Sequence, residues 1–153
     1  MHRFILHIDM NSYFASVEQQ ANPFLRGKSV GVCAYLSPRG TIIASSVEAK
    51  AKGIRTAFRV TDAKLLDPDI VLVENEPAKY RTVTTKIFSI LKEYTDNFEP
   101  YSIDEAFIDV TNAVNTYEAA VVLGEEIRQR IFSEVGEWLK CSIGISWTKF
   151  LAK

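Results

Sequence analysis

Residues 99–110, EPYSIDEAFIDV, read as two strands, 99–102 and 106–110, on either side of a polar corner at Ile103, Asp104 and Glu105. An antiparallel hairpin with two adjacent carboxylates in its bend constrains the fold more than any other segment. A third acid sits in comparable surroundings near the N-terminus. There Phe4, Leu6 and Ile8 alternate with Ile5, His7 and Asp9, the pattern of a strand buried on both faces that ends on an aspartate.

The elements between and after these strands follow from periodicity and punctuation. Asn11 or Ser12 can cap a helix starting at Tyr13, with Phe14, Val17 and Ala21 as its apolar stripe and Pro23 as its stop. Residues 29–34 and 41–45 read as short strands joined by a turn containing Pro38, Arg39 and Gly40. Short helices are expected over 47–52, ended by Gly53, and over 60–66, before a strand at 70–74. The longest helical pattern begins after Asn75, with Pro77 in its first turn and Val83, Ile87, Leu91 and Tyr94 on one face. Asn115 with Glu118 has the form of a capping box for a further helix. Ala120, Leu123, Ile127 and Ile131 form its buried face and Gly136 closes it. A last strand covers 141–145, and another helix starts near Thr148.

With residues 25–75 set aside, the order is strand, helix, strand, strand, helix, strand. That is the ferredoxin-like βαββαβ arrangement, an α+β fold with helices on one face of an antiparallel sheet. In such a sheet the first and third strands are central neighbours, so Asp9, Asp104 and Glu105 would converge at one edge. Adjacent strand residues point to opposite faces, and Asp104 and Glu105 can share a ligand only because the hairpin corner turns the backbone between them. Three converging carboxylates repel one another and raise each other's pKa unless a cation neutralises them. Hard oxygen donors suit Mg²⁺ or Mn²⁺ and leave positions for phosphate oxygens and water. Two such ions, about 3.5–4 Å apart, stabilise the attacking and leaving oxygens of an in-line phosphoryl displacement. Taken singly, Asp9 could be a helix cap and Asp104 with Glu105 a polar turn; the set is what points to metal-assisted chemistry. His7 shares the strand face of Asp9 and reads as a satisfied core histidine.

A chain of 153 residues with 47% hydrophobic and 24% charged side chains fits one soluble domain or two small lobes. No apolar run approaches the roughly 20 residues that span a bilayer, and the N-terminus lacks a signal-peptide pattern. Cys33 and Cys141 lack metal-ligand spacing and read as reduced, buried thiols. A cytoplasmic protein is expected. The net charge of −1, from 18 basic and 19 acidic side chains, is a poor footprint for tight nucleic-acid binding. The charges are nonetheless clustered. Lys50, Lys52, Arg55, Arg59 and Lys64 fall together and could contact a triphosphate or template, whereas Glu118, Glu125, Glu126, Glu134 and Glu137 read as a solvated face.

The segments IDMNSYFASVE, VEAKAKGI, YSIDEAFIDVT and SIGISWTKFLAK together resemble the Y-family, or translesion, DNA polymerases, in the family's order and at about its spacing. The resemblance covers essentially the whole chain and implies a palm (1–24 and 76–153) with inserted fingers (25–75). It implies that Asp9, Asp104 and Glu105 ligate two Mg²⁺ ions, or Mn²⁺ in their place, with the Met10 backbone carbonyl completing the second site. It makes Phe14 a steric gate whose ring excludes a 2′-hydroxyl; read from residues alone, Phe14 is also a plausible core aromatic. The backbone amides of Asn11, Ser12, Tyr13 and Phe14, at a helix start, would hold phosphate oxygens. Ile43 and Ala44 match positions that cover the nascent base pair. Asn11, Val47 and Lys50 stand where many members have an acid, a tyrosine and an arginine, which is similar to the UmuC-like branch. Lys50 still offers a point charge to the triphosphate.

The resemblance thus implies a DNA-directed DNA polymerase acting on primer–template DNA and deoxynucleoside triphosphates. The family's thumb and little finger have no counterpart in this sequence, so weak, salt-sensitive DNA binding and distributive synthesis are expected. So is a partner that supplies those parts, or a second copy; the apolar end at Trp147, Phe150 and Leu151 would pack on the chain's own core or on that copy. Two other readings remain open at this point: a catalytically silent binding or regulatory module on the same fold, and a template-independent nucleotidyl transferase or cyclase.

Overall fold

Strand β1 (Ile5–Met10) forms where the alternation requires it. The structure, a computed structural model, describes residues 3–153 apart from the Phe150 side chain. β1 pairs antiparallel with β6 (Glu105–Asp109) on one side and β7 (Cys141–Ser146) on the other, and β5 (Phe98–Ser102) lies beyond β6. The spatial order β5-β6-β1-β7 is that of a ferredoxin-like sheet. Register sorts the side chains between the two faces. Leu6 opposite Ile108 and Ile8 opposite Ala106 are all buried, whereas Ile5, His7 and Asp9 stand opposite Asp109, Phe107 and Glu105 on the other face.

The chain divides into two compact units, the described residues up to Asn11 with Arg81–Lys153, and Ser12–Tyr80. The first contains the four-stranded sheet. Its helices are the greater part of α4 (Pro77–Lys92), with Ile87, Ile90 and Leu91 buried, and α5 (Tyr117–Arg130), whose Gly124 faces Ile143 on β7. Helix α5 is capped by Thr116, whose hydroxyl accepts the Ala119 N–H at 3.1 Å. The cap therefore lies one residue beyond the expected Asn115, and the reciprocal box with Glu118 does not form: Thr116 is extended, its oxygen reaches the third helical amide, and that position is Ala119. Past Arg130 the chain makes a wider π turn, Ile131–Val135, before Gly136. A short helix α6 (Lys149–Ala152), capped by Thr148, crosses β7 so closely at Gly144 that a methyl group there would collide with the Ala152 carbonyl oxygen. Trp147 and Leu151 are exposed and so lie outside the core; the Phe150 side chain lies outside the described residues.

In the second unit β2 (Val30–Cys33) lies between β3 (Ile42–Ser45), antiparallel, and β4 (Val71–Glu74), parallel. Its core joins Cys33, Ile42, Ala49, Ile54, Val60, Ala63 and Ile70, drawn from β2 and β3, from α2 (Val47–Ala51) and α3 (Val60–Leu66), and from the loops that hold Ile54 and Ile70. Helix α1 (Tyr13–Ala21) belongs to this unit, which moves both joints relative to the boundaries at 24/25 and 75/76. The reason is polar: α1 buries Glu18 and Gln19, whose partners are Lys79, Tyr80, the Leu25 and Lys28 carbonyls and Glu48, all within residues 12–80. The first helix of the βαββαβ order is consequently α4. Cys33 and Cys141 are free and buried, burial pushing the Cys141 thiol up to about 11. Among the described residues no helix is long and apolar enough to cross a membrane.

Ala57 adopts φ 76°, a left-handed conformation in which its Cβ is crowded, while its N–H donates to the Ile42 carbonyl at 2.7 Å. Glycine keeps that bond without the crowding. Ala57→Gly is expected to raise stability by about 0.5–1 kcal/mol, net of the extra unfolded-chain entropy, as read by thermal or urea unfolding.

Candidate active site

Within the sheet unit, the antiparallel register places Asp9 directly opposite Glu105. The hairpin bend is tied to the end of β1 by a hydrogen bond from the Met10 N–H to the Asp104 carbonyl, 3.0 Å. That bond closes the corner expected between β5 and β6 and brings Asp104 to the same spot. One carboxylate oxygen from each of Asp9, Asp104 and Glu105 lies within 4.8 Å of the other two, and all three residues are partly exposed.

The surroundings hold these acids and offset only part of their charge. Ser102 donates its hydroxyl to Asp104 at 2.9 Å. His7, 5% exposed and tilted against the Phe107 ring at 4.8 Å, places Nε2 3.1 Å from Glu105 Oε2. Lys153 lies over the Tyr101 ring, with Nζ 3.7 Å from Glu105 Oε2. The Asp9 carboxyl is nevertheless held above its ordinary range, first by burial and then by the charges of Glu105 and Asp104, against the smaller pull of His7 and Lys153. Three hard donors that repel one another, partly open to water, fit a divalent cation with room for further oxygen ligands. Met10 is buried. Asn11 donates its N–H to the Lys140 carbonyl at 2.9 Å and accepts a bond from Ser142 at 3.1 Å. Of the four amides expected to meet phosphate, Asn11's is thus already engaged.

The remaining expected residues lie in the second unit. Ser12 starts α1, its carbonyl accepting the Ser16 N–H, but it sits at φ 47°, ψ 50° and its side chain makes no cap. Ser12 thus holds the cap position that the sequence suggested without a side-chain capping bond; its hydroxyl instead accepts a bond from Lys50 Nζ at 2.8 Å. Tyr13 is buried and donates to the Tyr80 carbonyl at 3.0 Å, so only its backbone is open to a ligand role. Phe14 is half-buried and stacks on Tyr80, centroids 4.4 Å apart and planes 13° apart. Ile43 and Ala44 are half-buried on β3, and Lys50 is exposed on α2. Of the basic cluster, Lys52 is committed to Asp67 at 2.9 Å.

His7 is the satisfied core histidine expected of it, buried and hydrogen-bonded to Glu105; Lys153 beside the acids, and Glu18 and Tyr80 in the second unit, were not expected. The spacing of four on α1 puts Glu18 on the face of Phe14, so Glu18 had a signal. Tyr80 and Lys153 had none, because their neighbours here are far along the chain.

The chain matches the family model described as impB/mucB/samB over residues 8–153. It is 43% identical over 152 residues to a protein named DNA polymerase IV 1 of Halalkalibacterium halodurans, covering 99% of this chain and 36% of that protein. It is 42% identical over 151 residues to the DNA polymerase IV of Bacteroides fragilis, covering 99% and 41%. Among solved structures, an insertion ternary complex of Dbh DNA polymerase superposes with TM-score 0.91 at 29% identity, covering 97% of this chain and 44% of that one. DinB from Sulfolobus solfataricus superposes with TM-score 0.90 at the same identity, covering 97% and 43%. This chain therefore spans about two fifths of the length of these relatives. Nearly its whole length agrees with them in sequence and fold, and the chain belongs to the impB/mucB/samB family of Y-family DNA polymerases.

Proposed function

We propose that this chain catalyses template-directed transfer of deoxynucleotides to a primer 3′-hydroxyl, as a DNA-directed DNA polymerase of translesion type acting in the cytoplasm. The observation that carries this reading is the meeting of Asp9, Asp104 and Glu105, with oxygens within 4.8 Å, at the end of β1. In this reading they and the Met10 carbonyl hold two divalent cations, magnesium or manganese. Such ions, when bound, neutralise phosphate charge and lower the pKa of the attacking hydroxyl. His7 keeps Glu105 in place. The amides of Ser12, Tyr13 and Phe14 offer donors to phosphate oxygens at the start of α1. Lys50 exchanges the Ser12 hydroxyl for a phosphate oxygen. Phe14 lies against the sugar, and Ile43 with Ala44 covers the nascent base pair. The palm (1–24 with 76–153) and the fingers (25–75) of this reading are functional parts, and they do not coincide with the compact units, which divide after Asn11 and after Tyr80.

The net charge of −1 leaves little counterion-release affinity, so the same reading includes weak DNA binding and low processivity. It also includes kinship with the UmuC-like branch, suggested by Asn11, Val47 and Lys50, although the relatives above are named DNA polymerase IV.

The test is extension of a labelled primer–template with each nucleotide supplied singly, in Mg²⁺ and in Mn²⁺. The expected result is addition of the templated deoxynucleotide alone, one or a few residues per encounter, with binding that falls steeply as salt rises. A folded chain that adds no nucleotide in either metal would favour the silent module. Tight duplex binding at physiological salt would refute the low-grip part.

A further inference from the structure

Glu18 is a carboxylate that no step of the proposed chemistry uses, yet it is 3% exposed in the middle of α1. A charge in that position is costly unless paired and hydrogen-bonded on every side. It is so satisfied: Lys79 Nζ donates to one oxygen at 2.6 Å and the Tyr80 hydroxyl to the other at 2.7 Å. Lys79 in turn reaches Glu76 at 3.2 Å. Both donors come from the first turn of α4, and the ring thus tethered is the one stacked on Phe14. Tyr80 is held at a second point through its own carbonyl, which accepts from the Tyr13 hydroxyl at 3.0 Å. Phe14 and Glu18 are four residues apart on α1, hence neighbours on one face of the helix. Glu18, hydrogen-bonded to the Tyr80 hydroxyl, and the stacked Tyr80 and Phe14 rings therefore form one continuous chain of contacts, with the carboxylate at its buried end.

We infer that Glu18 is a positioning residue for sugar selection: it fixes the Tyr80 phenol, and through the stacked rings it fixes the place of Phe14. This rests on the reading of Phe14 as the ring that meets the sugar. A ring that excludes a single hydroxyl works only while it cannot retreat, because displacement by an ångström opens the space a 2′-oxygen needs. The hydrogen bond from Tyr80 closes that route of retreat, since sliding the phenol would strand a buried carboxylate oxygen without its donor.

Tyr80→Phe removes one oxygen and leaves the ring, and Glu18→Gln leaves one oxygen for which Tyr80 and Lys79 must compete. Two readouts separate the hypotheses. The first is the ratio of dissociation constants for a ribonucleoside over the matching deoxynucleoside triphosphate, measured at equilibrium with Ca²⁺ as the cation. The expected loss is about fivefold for each single variant, with the double variant no worse than either, because both cut one bond. The second is the flip rate of the Phe14 ring by NMR in the nucleotide-free protein, expected to rise in both variants. Unchanged ratio and unchanged flip rate, or additive effects in the double variant, would overturn the role of Glu18. Phe14→Ala is the companion control. If it leaves the ratio intact, the gate reading fails, and the flip rate alone decides whether Glu18 holds the ring. If it collapses the ratio while Tyr80→Phe and Glu18→Gln do not, the gate stands and the inference about Glu18 falls.

Discussion

Asp9→Asn is expected to give a protein that melts higher than the parent without metal, melts lower than the parent with metal, and extends no primer. The first part follows from electrostatics within the sheet unit. Asp9 is partly buried beside Glu105 and Asp104, and its carboxyl is held above the ordinary range by that burial and those charges. A carboxyl whose folded pKa exceeds its unfolded pKa binds protons more readily when folded, so stability falls as pH rises through the interval between the two. Below the unfolded pKa the penalty is absent; above the folded pKa it is fully present. The asparagine never ionises. The gain at neutral pH, discounted for solvent screening of a partly exposed group, is about 0.5–1 kcal/mol, or a few degrees in Tm for a chain of this size. It should vanish in strong acid.

Metal reverses the order. A cation bound by the native state alone stabilises it by about 1.4 kcal/mol at ten times its dissociation constant. The parent should gain that increment in Mg²⁺ or Mn²⁺, and the variant, with one of three carboxylates removed, should not. Extension should drop by at least about 10³-fold, equivalent to about 4 kcal/mol of transition-state stabilisation, a size seen when preorganised charge is removed from a reacting centre. The crossing of the two melting curves is the informative measurement. A merely structural polar turn would lose or gain stability equally with and without the cation, and that outcome would sink the metal assignment independently of any activity assay.

The parts of this site readable from sequence are those fixed by short-range geometry. Alternation places Asp9 at the end of β1, and the apolar flanks of residues 103–105 define a hairpin bend. The βαββαβ order then requires the two ends to be neighbours, and the register Asp9 opposite Glu105 follows. What stayed hidden depends on partners distant in sequence or on the backbone conformation of one residue. Ser12 looks like a cap, but its left-handed φ and ψ turn its hydroxyl toward Lys50, 38 positions on. Helix α1 seemed to belong with the sheet because it directly follows the first strand in the βαββαβ order. Its true allegiance is set by buried Glu18 and Gln19, whose partners lie from Leu25 to Tyr80. Apolar periodicity is silent about buried polar residues, since these are tolerated only where a particular partner happens to be.

Phe14→Ala is expected to lower the preference for deoxynucleotides over ribonucleotides by about 10²-fold, the discrimination that steric exclusion of one hydroxyl can supply. The change should come almost wholly from faster ribonucleotide addition. Phe14 is half-buried, and Tyr80 stacks on it at 4.4 Å with the planes 13° apart, so the ring is braced while part of it remains accessible. Truncation removes the accessible ring together with the stack. It should therefore also cost about 1–2 kcal/mol of stability, less than the 3–5 kcal/mol of a fully buried aromatic. If Phe14 were only a core aromatic, both nucleotides would suffer alike: their kcat/KM values would fall together and their ratio would hold. Phe14→Leu separates the cases further, because leucine keeps bulk but not a flat ring. A gate should then leak to an intermediate degree, whereas a core position should accept leucine with little change in either rate. Parallel single-turnover measurements with a deoxynucleotide and its ribonucleotide on the three proteins, each checked for folding by thermal melt, decide between them; an unaltered ratio in Phe14→Ala would remove Phe14 from sugar selection.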